Sequence, residues 1–215
     1  MDLSFTPDQD ALREAASRLY AKESHGERVR ELEPQGFDPD LWSAVVGMGL
    51  PTMALAEADG GAGASLTDLA AAVEVHGAHL GLVPLVETAV AARLLAAVGA
   101  SGPLARLAGG ASATLRVTEE RGAAPVAFAA VADLVVTVDG DRVLVHDGPC
   151  GTPRATLAGL AVAAVEPAPD GAQEVGAGPG ARDAVERARD EWRGPTAVAP
   201  ARPAPAAPHL GGASG

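Results

Sequence analysis

An α+β fold, helices first and strands after, is predicted by three features of the chain. Apolar residues recur at helical spacing behind recognisable caps up to about residue 110. The pattern then switches to short β-branched runs separated by glycine turns. A helical pattern restarts at Ala181 and gives way at Gly194 to a segment dominated by Pro, Ala and Gly.

The elements follow in order. Thr6-Pro7-Asp8-Gln9 is a helix start, with a Thr N-cap, Pro at the first helical position and Gln closing a capping box. Leu12, Ala16, Leu19 and Tyr20 form its apolar stripe. Asp38-Pro39 opens a second helix with Leu41, Trp42, Val45 and Val46 facing inward, ending near Gly47 or Gly49. The turn Glu57-Ala58-Asp59-Gly60-Gly61-Ala62-Gly63 leads to a helix capped by Ser65 and carrying Leu69, Val73 and His76. A helix from Pro84 to Val98 and a short one from Ser101 to Leu107 complete the first half. Ala113 to Thr118, Val126 to Ala130 and Leu157 to Val165 read as strands. Val135 to Val145 reads as a hairpin turning at Asp139-Gly140 through a type I′ turn. Domain boundaries follow: 1–110 helical, 111–166 a β domain, 167–180 a linker, 181–193 the start of another helical unit, and 194–215 a disordered tail.

Charge excludes whole classes of partner. The formal net charge is -12, and between Glu31 and Ala92 there are nine acids and no Lys or Arg. A nucleic-acid binder needs a basic stripe to displace counterions, and an anionic membrane surface would repel this face. The single cysteine, Cys150, rules out an internal disulfide and a clustered thiolate metal site. Met1-Asp2-Leu3-Ser4 lacks the basic n-region of a secretory signal, so a cytoplasmic location is expected.

A family resemblance enters on particular residues. Met1 to Gln9, Phe37-Asp38-Pro39-Asp40-Leu41-Trp42, Met48-Gly49-Leu50 and above all Leu55 to Gly63 are similar to landmarks of the acyl-CoA dehydrogenase family. Glu74, Val83-Pro84-Leu85 and Asp190-Glu191-Trp192-Arg193 fit the same order. The resemblance implies an N-terminal all-helical domain and a reduced middle β domain, truncated before a C-terminal helical bundle. It implies FAD as cofactor, an acyl-CoA thioester as substrate and a place in fatty acid metabolism. Complete members are flavoprotein oxidoreductases that take a hydride from the β-carbon while a carboxylate takes the α-proton.

The departures matter equally. Leu115-Arg116-Val117-Thr118-Glu119 stands where the family's strand lines the flavin, which assigns Val117 and Thr118 to cofactor binding. Glu120 replaces a proline, and a stretch beside the isoalloxazine ring is shortened between Pro125 and Asp133. No residue of this chain matches the family's catalytic base. The resemblance therefore implies a chain inactive alone. Two further readings stay open: a non-catalytic subunit beside a paralogous dehydrogenase, and a truncated or frame-shifted product.

Other motifs resolve without chemistry. Gly60 to Gly63 is explained as a tight turn, since no Lys-Ser/Thr follows to hold phosphate. Gly176-Ala177-Gly178-Pro179-Gly180-Ala181 matches a dinucleotide fingerprint only by composition, because a linker is expected before it. His76 and His79 mark a helix end rather than a metal platform, and Cys150 beside His146 lacks an orienting third group.

Overall fold

The structure is a computed structural model that describes residues 5–118, 120–156 and 159–198. Six helices come first. In α1 (Pro7–Glu23) the Thr6 hydroxyl accepts from the Gln9 N–H, and the Gln9 side chain accepts from the Thr6 N–H, which is the expected capping box. The short α2 (Gly26–Leu32), capped by His25, has no counterpart in the sequence reading. Seven residues with one buried side chain, Leu32, leave too little periodicity to detect. Asp38 caps α3 (Pro39–Gly47) by accepting from the N–H groups of Asp40 and Leu41.

Two 3-10 turns, Leu50–Thr52 and Glu57–Asp59, lead to α4 (Leu66–Ala78), where Ser65 and Asp68 form a second capping box. The central helix is α5 (Leu85–Ala97), buried at Leu85, Val86, Leu94, Leu95 and everything from Thr88 to Ala92. A helix enclosed on nearly all sides needs no amphipathic stripe, which is why this one reads as continuously apolar. The first half closes with α6 (Ser101–Ala108).

The second half holds two small sheets. One has the order β1 (Ala113–Arg116), β3 (Leu134–Asp139), β4 (Arg142–Asp147), β7 (Gln173–Gly176); β1 runs parallel to β3 and the other pairs are antiparallel. The other is antiparallel, with the order β2 (Ala124–Ala127), β6 (Val162–Val165), β5 (Thr152–Arg154). The hairpin is present, but its turn differs from expectation. Asp139 pairs with Arg142, leaving Gly140-Asp141 as the central residues, and only Gly140 of the two has positive φ (65°). Positive φ at the first central residue alone is the type II′ pattern rather than I′.

Three boundaries also shift. The expected linker 167–180 contains β7, whose hydrogen bonds to β4 offset a polar, glycine-flanked sequence with little strand propensity. The strand expected over Leu157 to Val165 is confined to β6, and Leu157 and Ala158 lie outside the described residues. The last helix, α7 (Pro179–Val198), begins before Ala181 and runs past Gly194 and Pro195. A proline this close to a helix end removes few backbone bonds, so the helix survives it. The tail expected over 194–215 thus starts inside α7, and its part from residue 199 onward lies outside the described residues.

Helix α7 is not left unsupported. Its Ala181, Ala184, Val185 and Ala188 join the main core with residues of α4 and α5. The Arg93 guanidinium on α5 donates through Nε and Nη2 to both oxygens of Glu191, at 2.8 Å each, and through Nη1 to the Ala54 carbonyl at 2.7 Å. One fork thereby ties α7, α5 and the segment after the first 3-10 turn. Among the described residues the exposed large apolar side chains are scattered: Phe5, Leu66 and Leu80.

Candidate functional site

The strand-edge segment after β1 is where the expected cofactor residues lie. β1 is the outer strand of its sheet, and its start is held to the helices by Thr88, whose hydroxyl bridges the Ala113 carbonyl (2.9 Å) and N–H (3.0 Å). Its end is held by Arg116, a side chain almost wholly buried. Arg116 Nε donates to the Val165 carbonyl at 3.0 Å, and Nη2 to the carbonyls of Glu120 (2.7 Å) and Gly122 (2.8 Å). Burial pulls this guanidinium below its ordinary pKa, against the opposing attraction of Glu166, Glu120 and Asp139. The Arg116 side chain thereby holds the carbonyls of Glu120 and Gly122 close to the end of β1.

Val117 and Thr118 leave the ladder here and face α7. Together with Arg189, Trp192 and Arg193 they line a cleft of about 390 Å³, the low end of small-molecule sites. The Val117 carbonyl accepts from Arg189 Nε at 2.8 Å. The Thr118 hydroxyl accepts from the Glu120 N–H at 3.1 Å, which leaves its own proton to donate. Arg189 also donates through Nη1 to Glu186 at 2.5 Å, one helical turn away. None of the described residues lining this cleft is an acid. An adjoining cleft on the other side of Thr118 has Glu120, Asp139 and Glu186 on its wall, and Glu120 and Glu186 are open to water.

The remaining motifs have structural roles. In the glycine turn, the N–H groups of Gly60, Gly61, Ala62, Gly63 and Ala64 all donate to backbone carbonyls of residues 53–57, so none is directed at an anion. A Cβ on Gly61 would overlap the Leu55 carbonyl, whereas one on Gly63 would meet open space. Gly61→Ala is therefore expected to destabilise by about 2 kcal/mol. Gly63→Ala, penalised only by its positive φ, should cost about 1 kcal/mol. Equal shifts of the two variants in thermal melts would refute this account.

Gly176 ends a strand after all: β7 stops there and α7 opens three residues later, so the missing-strand argument against a dinucleotide fingerprint fails. The fingerprint still lacks its frame, because β7 is antiparallel to β4, and Gly176 is accounted for by Val98, which a Cβ would strike. His76 is half-buried and shares a 3.0 Å hydrogen bond with the Tyr20 hydroxyl, and removal from water lowers its pKa to about 4. Tyr20 also stacks on His79 at 5.9 Å between ring centres. Among the described residues no three His, Cys, Asp or Glu converge as metal ligands. Cys150 is buried, and burial raises its pKa, the opposite of an activated thiol.

One residue escaped sequence reasoning. Glu87 is the acid in the first turn of α5, half-buried, and burial lifts its pKa to about 7. Its signal was present: a lone carboxylate in Leu85-Val86-Glu87-Thr88-Ala89-Val90 interrupts an otherwise apolar run, where a largely enclosed helix offers it little water.

Comparison with known proteins places this architecture. Residues 6–103 match the acyl-CoA dehydrogenase N-terminal domain. The chain is 31% identical over 153 residues to acyl-CoA dehydrogenase IpdE2 of Mycolicibacterium smegmatis, covering 70% of this chain and 48% of that protein. It thus spans about half the length of that relative. Two solved structures are similar in fold. The Tcur3481-Tcur3483 steroid ACAD G363A variant has a TM-score of 0.70 at 23% identity, with 89% of this chain and 62% of the other covered. The ChsE4-ChsE5 complex from Mycobacterium tuberculosis has a TM-score of 0.70 at 20% identity, with coverages of 90% and 64%. The chain belongs to the acyl-CoA dehydrogenase family.

Proposed function

We propose that this chain is the helical and sheet portion of an acyl-CoA dehydrogenase subunit that works on acyl-CoA thioesters in a shared assembly rather than alone. Its partner in this reading is a paralogous dehydrogenase chain that brings the base and most contacts to FAD. The observation that carries the reading is the makeup of the cleft at Val117 and Thr118, whose described lining residues include no carboxylate. Removing the α-proton of a thioester requires a base within hydrogen-bond reach of that carbon, with water kept out. Glu186 and Glu120, nearby, are open to water, and Glu186 is bonded to Arg189. Two of the fold's neighbours support a shared assembly, since their names join two components each.

Family membership makes FAD the expected cofactor, and the strand edge tests how well it fits. The Thr118 hydroxyl retains a proton for a ring acceptor, but the Val117 carbonyl is already bonded to Arg189. In this arrangement a flavin ring would meet the Arg189 side chain at that carbonyl, and no step of the reaction is assigned to the edge.

The test is acyl-CoA-dependent reduction of an electron-accepting dye. The purified chain should show none, and a mixture with a longer acyl-CoA dehydrogenase chain from the same source should show turnover and co-elute. Turnover by the purified chain alone would refute the reading, as would the absence of any co-eluting partner across the candidate chains.

A further inference from the structure

The misfit at the strand edge has a definite chemical form. The pyrimidine edge of an isoalloxazine ring presents one N–H between two carbonyls. A strand edge complements that pattern with a carbonyl acceptor flanked by donors. At Val117 the acceptor is present, and a protein donor holds it: Arg189 Nε–H, 2.8 Å away.

Several features make this more than a surface contact. The Arg189 side chain is 13% exposed. It lines both clefts that share Thr118. Its Nη1 is held by Glu186 on the same helix. The helix itself is fixed by Ala184, Val185 and Ala188 in the core and by the Arg93–Glu191 fork one turn beyond. On the strand side, Arg116 fixes the loop that carries Thr118. Donor and acceptor are thus both anchored, and little freedom is left to lose when they pair.

We propose that Arg189 is an internal occupant of the flavin edge in this chain, closing it to the cofactor so that the chain by itself is a flavin-excluding subunit. The inference rests on the family reading above, but its readout is ring binding by the single chain, which is independent of whether any assembly turns over.

Riboflavin is the probe of choice, because it carries the ring without the pyrophosphate that any nearby arginine would attract. Titration of the full chain, followed by quenching of riboflavin fluorescence, should show weak binding for the unaltered protein. Arg189→Met removes the donor and leaves an aliphatic stem. It should bind riboflavin about tenfold more tightly, the gain expected when one competing hydrogen bond is removed. Arg189→Gln, shorter and uncharged, should move in the same direction. The gain should disappear in the double variant Arg189→Met, Thr118→Ala. A carbonyl has two lone pairs, so sharing is the rival account, and it leaves affinity unchanged on substitution. Unchanged or weakened binding in folded variants overturns the proposal. So does tight binding by the unaltered chain, a measurement that needs no variant to fold.

Discussion

Arg116→Met is expected to lower the unfolding free energy by about 3 kcal/mol, at the upper end of ordinary single substitutions. Arg116 is 2% exposed and donates to backbone carbonyls on two separate segments, Val165 at the end of β6 and the 118–122 loop. A buried charge with no bonded carboxylate among the described residues is costly in itself, and methionine would relieve that part. The carbonyls would not be relieved. Val165 is wholly buried, and its acceptor would lose its guanidinium donor. Lysine is no substitute, because one ammonium on a flexible stem does not reproduce a planar fork reaching three directions. Chemical denaturation of the Met and Lys variants should therefore show both well below the unaltered chain. A lysine variant of full stability would show that charge alone, and not the fork, holds the loop. Because Thr118 belongs to this loop, the same variants should weaken any ligand seated on the strand edge.

The extent to which this was legible in the sequence varies with the kind of signal. Caps were readable because their chemistry is local: Thr6 with Gln9, Asp38 before Pro39, and Ser65 with Asp68 all satisfy orphan N–H groups within four residues. The parallel pairing of β1 with β3 was not, since it joins residues about 20 apart with an intervening strand in the other sheet. β7 was missed because Gln173-Glu174-Val175-Gly176 has few β-formers, and its pairing with β4 decides its state. The type II′ turn was misassigned by placing the turn one residue early, which shifts which residue needs positive φ. Val117 and Thr118 were assigned to the cofactor through family resemblance. The contact of Arg189 with Val117 could not be read that way, because it depends on how α7 lies against the end of β1, more than 70 residues away in sequence.

Glu87→Gln should stabilise the protein at pH 8 and leave it unchanged at pH 4. The folded-state pKa of Glu87 is raised by burial to about 7 from an ordinary 4.5. Below 4.5 the carboxyl is protonated in both folded and unfolded chains, and it contributes no difference. Between 4.5 and 7 the unfolded chain loses this proton while the folded chain keeps it, so stability falls as pH rises. Above 7 the folded protein carries a half-buried carboxylate whose hydrogen bond from its own backbone N–H does not offset its burial, and the full cost is present. The shift corresponds to about 3 kcal/mol. Partial solvent contact reduces this to about 2 kcal/mol, or about 5 °C in Tm for a domain of this size. Glutamine keeps the shape and removes the charge, so the difference in Tm between the two proteins isolates this one group from every other titration. That difference should open from near zero at pH 4 to its full value by pH 8. A constant offset across the range would mean that the carboxyl is not buried as described.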